Sequence, residues 1–246
     1  MKTRAAVLHE MGAKKPYKES KPLKIEYLEL DDSSEHEVLI KIHAAGLCHS
    51  DLSVINGNRP RPLPMALGHE ASGEVIKVGK AVTRVSEGDH VVCTFIPSCG
   101  KCIPCKEGRP ALCENGAISN EKGEMLEGGV RLSNDEGKVY HHLGISGFAE
   151  YSVVSENSIV KIDKKIPFER AAAFGCAIIT GIGAVVNTAQ IRSGSNVAVV
   201  GLGGIGLNAI IGAKLAGANE IIALDINEDK FELAKQFGAT ATFNSS

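Results

Sequence analysis

Residues 196–226 read NVAVVGLGGIGLNAIIGAKLAGANEIIALDI. A five-residue apolar strand runs into a glycine turn, the turn opens a helix, and a second apolar strand follows. The next stretch, NEDKFELAKQFGA (227–239), has helical periodicity that puts Phe231, Leu233, Ala234 and Phe237 on one inward face. TATF (240–243) starts a third strand. Strands that alternate with helices, and that are apolar throughout, are the mark of a parallel sheet covered on its faces. Residues 196–243 are therefore expected to form β-α-β-α-β. A doubly wound sheet normally has two such halves; the 246 residues hold only the first.

Upstream the pattern differs. EVLIKIHAAG (37–46), GEVIKVG (73–79), GDHVVCTF (88–95) and FAEYSVV (148–154) are short Val/Ile-rich runs set between Gly and Pro. That spacing predicts an antiparallel barrel or sandwich. The change comes near Pro167, where PFERAAAFGCAIITGIGAVVNTA has helical length and Ala content. Composition is that of an ordinary globular chain, 43% apolar and 23% charged with a net charge of −2. No basic stripe is present to follow a phosphate backbone, which argues against nucleic acid as a partner. Residues 171–191 and 193–213 carry no charge but are broken by Gly, Thr, Asn, Gln or Ser. They fall short of the ~18 sustained apolar residues of a membrane span and read as buried elements. MKTRAAVLHEMG at the start has no apolar core for a signal peptide. The expected compartment is the cytosol, a reducing one, where clustered cysteines favour metal over disulfide.

The glycine turn is Gly201-x-Gly203-x-x-Gly206, placed between strand and helix, with Asp225 nineteen residues beyond Gly206. In that context the first glycine makes the turn, the second lets a pyrophosphate approach the backbone, and the third lets helix and strand pack closely. The helix N-terminus faces the negative phosphates. Asp225 would accept hydrogen bonds from the adenosine ribose and repel a 2′-phosphate, favouring NAD over NADP. The bland alternative is a glycine turn in another α/β protein.

Four of the seven cysteines lie in CGKCIPCKEGRPALC (99–113). Cys99, Cys102, Cys105 and Cys113 have the spacing C-x2-C-x2-C-x7-C, which lets four thiolates converge. A closed S4 shell suits structural Zn²⁺ and leaves no position for a substrate. An iron–sulfur cluster uses similar spacing, but with a shorter last gap in the bacterial ferredoxin pattern. A loop of reduced thiols is the bland reading. The remaining candidates are Cys48 in GLCHSDLS, His69 in GHEASGEVIKVG and Cys176 in AAFGCAIITG. Taken singly each is ordinary, a buried small side chain or a turn residue. Cys93, in HVVCTF, is expected to be a buried strand residue, and His9, His36, His43, His90, His141 and His142 to be structural or exposed.

GHEASGEVIKVGKAV (68–82) resembles the signature of the zinc-containing alcohol dehydrogenases, the medium-chain dehydrogenase/reductase family. AAGLCHSDLSVING resembles that family's first ligand segment, and the four-cysteine loop resembles its structural-zinc lobe. The resemblance implies a GroES-like barrel domain over residues 1–177, with the lobe at about 95–115, and the first half of a Rossmann domain over 178–246. It implies a catalytic zinc held by Cys48, His69 and Cys176 with one open position, Glu70 behind the metal, and a structural zinc held by the four-cysteine loop. It implies hydride transfer between a primary or secondary alcohol and NAD.

Ser50 matches the hydroxyl that starts the family's proton relay. Ser53 stands where relatives often place the relay's terminal His. His49 matches a contact to cofactor phosphate, and Thr180 and Ile205 match positions lining the nicotinamide. Gly204 and Lys230 join Gly201, Gly203, Gly206 and Asp225 as cofactor-binding residues. The family runs about a hundred residues longer, so slow turnover is expected of these residues alone. The partners implied are a small alcohol or aldehyde, with no nucleic acid and no membrane, and an assembly of identical chains is compatible with the sequence. A zinc dehydrogenase for an aromatic alcohol or a thiol adduct of formaldehyde, and an inactive zinc-binding remnant, are the competing readings.

Overall fold

The computed structural model describes all residues from Met1 to Ser246. They fall into two units, Met1–Gly175 and Cys176–Ser246. The division falls at Cys176, two residues before the boundary drawn from sequence.

In the first unit, β1 (Lys2–Leu8), β2 (Leu23–Leu30), β7 (Leu132–Asn134), β8 (Gly137–His141) and β4 (Met65–Ala66) close into a barrel in that order. All neighbours are antiparallel except β4 and β8, which run parallel. The expected antiparallel barrel thus carries one parallel seam. Beside it lies a five-stranded antiparallel sheet in the order β10 (Ile159–Lys161), β6 (His90–Cys93), β5 (Glu70–Val78), β3 (Glu37–Gly46) and β9 (Tyr151–Ser155). Val7, Leu28, Leu30, Leu132 and Val139 fill one core, and Val38, Ile40, Val75, Val91 and Val154 another. The helices of this unit are short: α1 (Tyr17–Ser20), α2 (His49–Ile55), α3 (Ile103–Lys106), α4 (Glu114–Lys122) and α5 (Phe168–Ala172).

The pairing of β3 with β5 positions the candidate centre. The register ends with Gly46 opposite Glu70. Cys48 lies two residues past the end of β3, and His69 one residue before the start of β5. An antiparallel pair brings the end of one strand beside the start of the next, so residues distant in sequence meet at one rim. Gly46 lets the Glu70 side chain lie close against β3, since a methyl group on its Cα would meet Glu70 Oε2 and force that side chain to shift.

The second unit holds α6 (Ala177–Gly183), β11 (Asn196–Val200), α7 (Gly204–Leu215), β12 (Glu220–Asp225), α8 (Phe231–Phe237) and β13 (Ala241–Asn244). Its three strands are parallel, in the order β11-β12-β13, as the alternating pattern requires. Val199, Leu202, Ile210, Ala213, Ile221 and Ala234 form its core. Phe231 and Phe237 pack against that core, whereas Leu233 turns outward and is 40% exposed. The apolar run after Pro167 is not one helix. It breaks at 173–176, where Cys176 takes φ −144° and ψ −75°, and ends in a π-helical turn, Ala184–Thr188. Nor is that run wholly buried: Phe174, Ile179 and Val186 are exposed. No single helix is long and apolar enough to cross a membrane.

His141 sits in β8 with no exposure. Its Nε2 accepts the Arg131 N–H at 3.0 Å, so Nδ1 carries the ring hydrogen and faces Ser146 Oγ at 3.2 Å. Burial, reinforced by the Arg131 charge, pushes its pKa down to about 3. In the unfolded chain a histidine takes up a proton near pH 6.5. Between those values the unfolded chain binds a proton that the folded one refuses, so stability falls as pH drops, by up to about 1.4 kcal/mol per pH unit. The stability difference between the protein and His141→Gln, read by urea unfolding, isolates this group from other histidines: it is expected to move against the unsubstituted protein by about 1.4 kcal/mol between pH 7.5 and pH 5.5.

Candidate functional site

Cys48 closes the link between β3 and α2 and caps the helix. His69 is buried at the start of β5. The ligand atoms of Cys48, His69 and Glu70 lie within 4.8 Å of one another. Phe95 meets the His69 ring edge-on, with centroids 6.2 Å apart. Cys176 is buried and follows directly on Gly175. A methyl on Gly175 would lie 2.1 Å from the Cys93 carbonyl oxygen, so the glycine lets the chain press against the end of β6, two residues from Phe95.

The centre is tied together by a residue the sequence reading passed over. Asp51, in the first turn of α2, is buried. Its Oδ2 accepts the Cys48 N–H at 3.2 Å, and its Oδ1 accepts the Gly68 N–H at 3.0 Å. One carboxylate thus clamps both ligand-bearing segments. Oδ1 also stands 3.3 Å from His69 Nδ1 and 3.0 Å from His142 Nδ1. Burial works to raise its pKa, but the contacts with His142 and His69 outweigh it and hold the carboxyl well below the usual range. Burial likewise opposes a charge on His69, yet Asp51 and Cys48 outweigh it and raise the imidazole to about 9. An imidazole nitrogen that holds a proton this firmly is suited to hold a dication in its place. The one sequence sign of Asp51 is its position three residues after Cys48, where a carboxylate can reach back to the N-cap amide.

His49 is exposed on the first turn of α2, and Ser50 beside it is half-buried. Ser53 Oγ donates to the His49 carbonyl at 2.9 Å and stands 3.4 Å from His49 Nδ1. The position without a relay histidine therefore still has an imidazole next to it.

The four cysteines at 99–113 offer sulfurs within 4.8 Å of one another. Cys102 Sγ and Cys113 Sγ are 3.9 Å apart; sulfurs about 2.3 Å from a tetrahedral zinc stand about 3.8 Å from each other. Backbone N–H groups point at the sulfurs: Lys101 and Cys102 at Cys99 (both 3.4 Å), and Gly116 at Cys113 (3.3 Å). Those of Lys101 and Cys102 pull the Cys99 thiol down to about 6. Burial and the neighbouring Cys102 push Cys105 the other way, up to about 12. Four thiolates this close repel, and a bound cation resolves the conflict. None of the seven cysteines forms a disulfide, and Cys93 is a buried strand residue as expected, its thiol pushed up to about 12 by burial.

In the second unit Gly201 takes φ 89°, and a methyl on Gly206 would lie 1.8 Å from the Gly201 carbonyl oxygen. Gly203 caps α7 and borders open space, so a phosphate can reach the helix N-terminus there. Gly204 and Ile205 are exposed beside it. Gly181 of α6 packs against the Ile205 carbonyl, which places the turn bearing Thr180 near the start of α7. Asp225 ends β12 with its carboxylate in use. Oδ2 accepts the Leu202 N–H at 2.6 Å, Oδ1 the Asn227 N–H at 2.9 Å, and Lys230 Nζ lies 3.0 and 3.2 Å from the two oxygens. The Leu202 and Asn227 N–H groups, then Lys230, hold its pKa down to about 2. A carboxylate has about four acceptor sites. A ribose hydroxyl would therefore have to take the place of Lys230, the one mobile donor.

Residues 34–164 match the alcohol dehydrogenase GroES-like domain family, and residues 204–246 the zinc-binding dehydrogenase family. Among relatives, an S-(hydroxymethyl)glutathione dehydrogenase of Synechocystis sp. is 45% identical over 245 residues, covering 99% of this chain and 64% of its own length. An alcohol dehydrogenase class-3 of Drosophila melanogaster is 47% identical over 225 residues, covering 91% of this chain and 59% of its own. Among solved structures, a benzyl alcohol dehydrogenase from Acinetobacter calcoaceticus superposes with a TM-score of 0.89 at 39% identity, over all of this chain and 64% of that one.

Removing the Asp51 carboxylate leaves the Cys48 and Gly68 N–H groups and the His69 imidazole without their acceptor. Breaking a buried charged pair from one side costs about 3–5 kcal/mol. Asp51→Ala, unfolded in urea with a chelator present, is expected to lose stability of that order. Cys113→Ser is expected to lower bound zinc by one ion per chain, read by atomic absorption. The chain spans less than two thirds of these relatives, and within that span the matched domain and the conjunction of motifs establish that it belongs to the zinc-containing alcohol dehydrogenase family.

Proposed function

We propose that the protein is a zinc- and NAD-dependent oxidoreductase that interconverts an alcohol and its aldehyde or ketone. The observation that carries this reading is the meeting of half-buried Cys48 with buried His69, clamped by buried Asp51. Cys48, His69 and Cys176 are the residues that would hold the catalytic zinc. Cys99, Cys102, Cys105 and Cys113 would hold the structural one. A zinc ion in the first set acts as a Lewis acid, lowering the pKa of a bound hydroxyl or polarising a carbonyl. NAD supplies the hydride acceptor.

The chain's own residues do the rest. Asp51 fixes the His69 tautomer, with the hydrogen on Nδ1, so that Nε2 is left for the metal. Phe95 packs on the same ring and helps exclude water. Ser50 can accept the substrate hydroxyl proton and donate its own. His49, exposed beside Ser53, offers the outward end of that path and a positive group for cofactor phosphate. Gly201, Gly203, Gly204, Ile205 and Gly206 present backbone to the pyrophosphate, and Asp225 selects the ribose once Lys230 gives up its place on the carboxylate. Because the carboxylate is charged at every pH near neutrality, it disfavours a 2′-phosphate.

Benzyl alcohol and S-(hydroxymethyl)glutathione, named for the relatives, are the substrates to try alongside simple primary and secondary alcohols. The test is metal analysis with NAD titration of the chain. Two zincs per chain and NAD binding that weakens in Asp225→Asn support the reading. Zinc without NAD binding would instead identify a zinc-binding remnant. Gly175→Ala forces the chain off the Cys93 carbonyl. It is expected to lose one of the two zincs while the four-cysteine site keeps its own.

A further inference from the structure

His142 follows β8 directly and has no exposure. Its N–H donates to the Ala66 carbonyl at 3.2 Å, and its own carbonyl accepts the N–H groups of Ile145 (3.1 Å) and Ser146 (3.2 Å). The turn after it passes through Leu143 (φ 54°) and Ser146 (φ 55°), two left-handed residues that are not glycine. Such conformations persist only where the surroundings enforce them. The His142 ring stands edge-on to that of His69, with centroids 5.2 Å apart and planes at 89°. Nδ1 lies 3.0 Å from Asp51 Oδ1 but out of line for a hydrogen bond, and Nε2 has no partner. A buried polar atom left unpaired is costly, and each instance calls for a reason. A phenyl ring of similar shape would fill this space without that cost.

The reason lies in what His142 shares. Asp51 Oδ1 is approached by three groups at once: the Gly68 N–H at 3.0 Å, His69 Nδ1 at 3.3 Å and His142 Nδ1 at 3.0 Å. We propose that His142 is a positioning residue for the metal centre, dividing the Asp51 carboxylate with His69 and so setting how strongly His69 holds a metal. A carboxylate that accepts one imidazole N–H raises the donor strength of the other ring nitrogen and fixes the ring's aim. His142 Nδ1, 3.0 Å from the same oxygen, draws off part of that effect through its proximity and ring dipole, without a hydrogen bond of its own. His69 is thereby kept a weaker, more adjustable ligand than Asp51 alone would make it. The inference rests on the reading that Cys48, His69 and Cys176 hold the metal.

The test uses the full chain loaded with Co²⁺, whose visible absorption reports the ligand field, and the rate of metal loss to a chelator. Outer partners of metal ligands change affinity about 10–100-fold. His142 acts one contact further out, so an effect of about 3–10-fold is expected. His142→Phe keeps the ring's bulk and removes the donor; it should release cobalt from this centre that much more slowly, with a shifted absorption band. His142→Asn restores an N–H near Nδ1 and should return both readings to those of the unsubstituted protein. In an Asp51→Asn background, adding His142→Phe should change neither. Release from the four-cysteine site is the internal control and stays constant. Unchanged or faster release in His142→Phe overturns the proposal, including for a variant whose melting curve shows it folded. An unsubstituted chain that binds a single cobalt overturns the metal centre itself, and this proposal with it.

Discussion

The Asp51 carboxylate holds the candidate centre together. Cys48 and His69 belong to different segments that meet only because β3 and β5 pair antiparallel. Strand pairing brings the rim together to within a few ångströms, and no closer. The last step needs a group that reaches both segments, and Asp51 does so through the Cys48 and Gly68 N–H groups. Each of those bonds is charge-assisted and buried, a setting in which they are strong. The same carboxylate faces both His69 and His142, so geometry and electrostatics of the centre depend on one side chain.

Two ways of gathering candidate metal ligands are present. At residues 99–113 the ligands are close in sequence, and the loop needs only turns and backbone N–H groups to gather them. Cys113 is also the N-cap of α4, so the helix N-terminus faces its sulfur. That arrangement stabilises thiolate charge locally, whatever the rest of the chain does. The rim centre has no such independence. Cys48 and His69 inherit their positions from the paired strands, and a change at Gly175 meets the Cys93 backbone directly. A site of the first kind can brace a surface loop. A site of the second kind reports the integrity of the whole fold.

What the sequence made legible follows the same division. The β-α-β-α-β pattern, the glycine turn and the four-cysteine loop are local signals, and each appears where it was expected. β3 coincides with its apolar run because that strand is buried by alternation along its own length. The helical run after Pro167 breaks before Cys176, at Gly175, the glycine that presses against the Cys93 carbonyl. Leu233 is misassigned because two helical positions compete for one face and Ala234 takes it. Asp51 and His142 were missed for a deeper reason. They are separated by ninety-one residues, and a shared carboxylate oxygen leaves no spacing to read.

The Asp225 carboxylate shows the same limit from the opposite side. Its place at the end of β12 is a local signal. Its occupancy is not, because Leu202, Asn227 and Lys230 saturate it only once the loop is folded. Leu202 and Asn227 donate from backbone and cannot leave without unmaking the turn. Lys230 donates from a flexible, partly exposed stem, and its departure costs only an ion pair that water already screens. A ribose offering two hydroxyls to the vacated sites replaces a long, entropically free donor with a rigid one. The glycine loop is therefore held in shape by Asp225 through the Leu202 and Asn227 N–H groups, the same acid proposed to read the ribose. Shape and recognition at this loop are one interaction, as they are at Asp51.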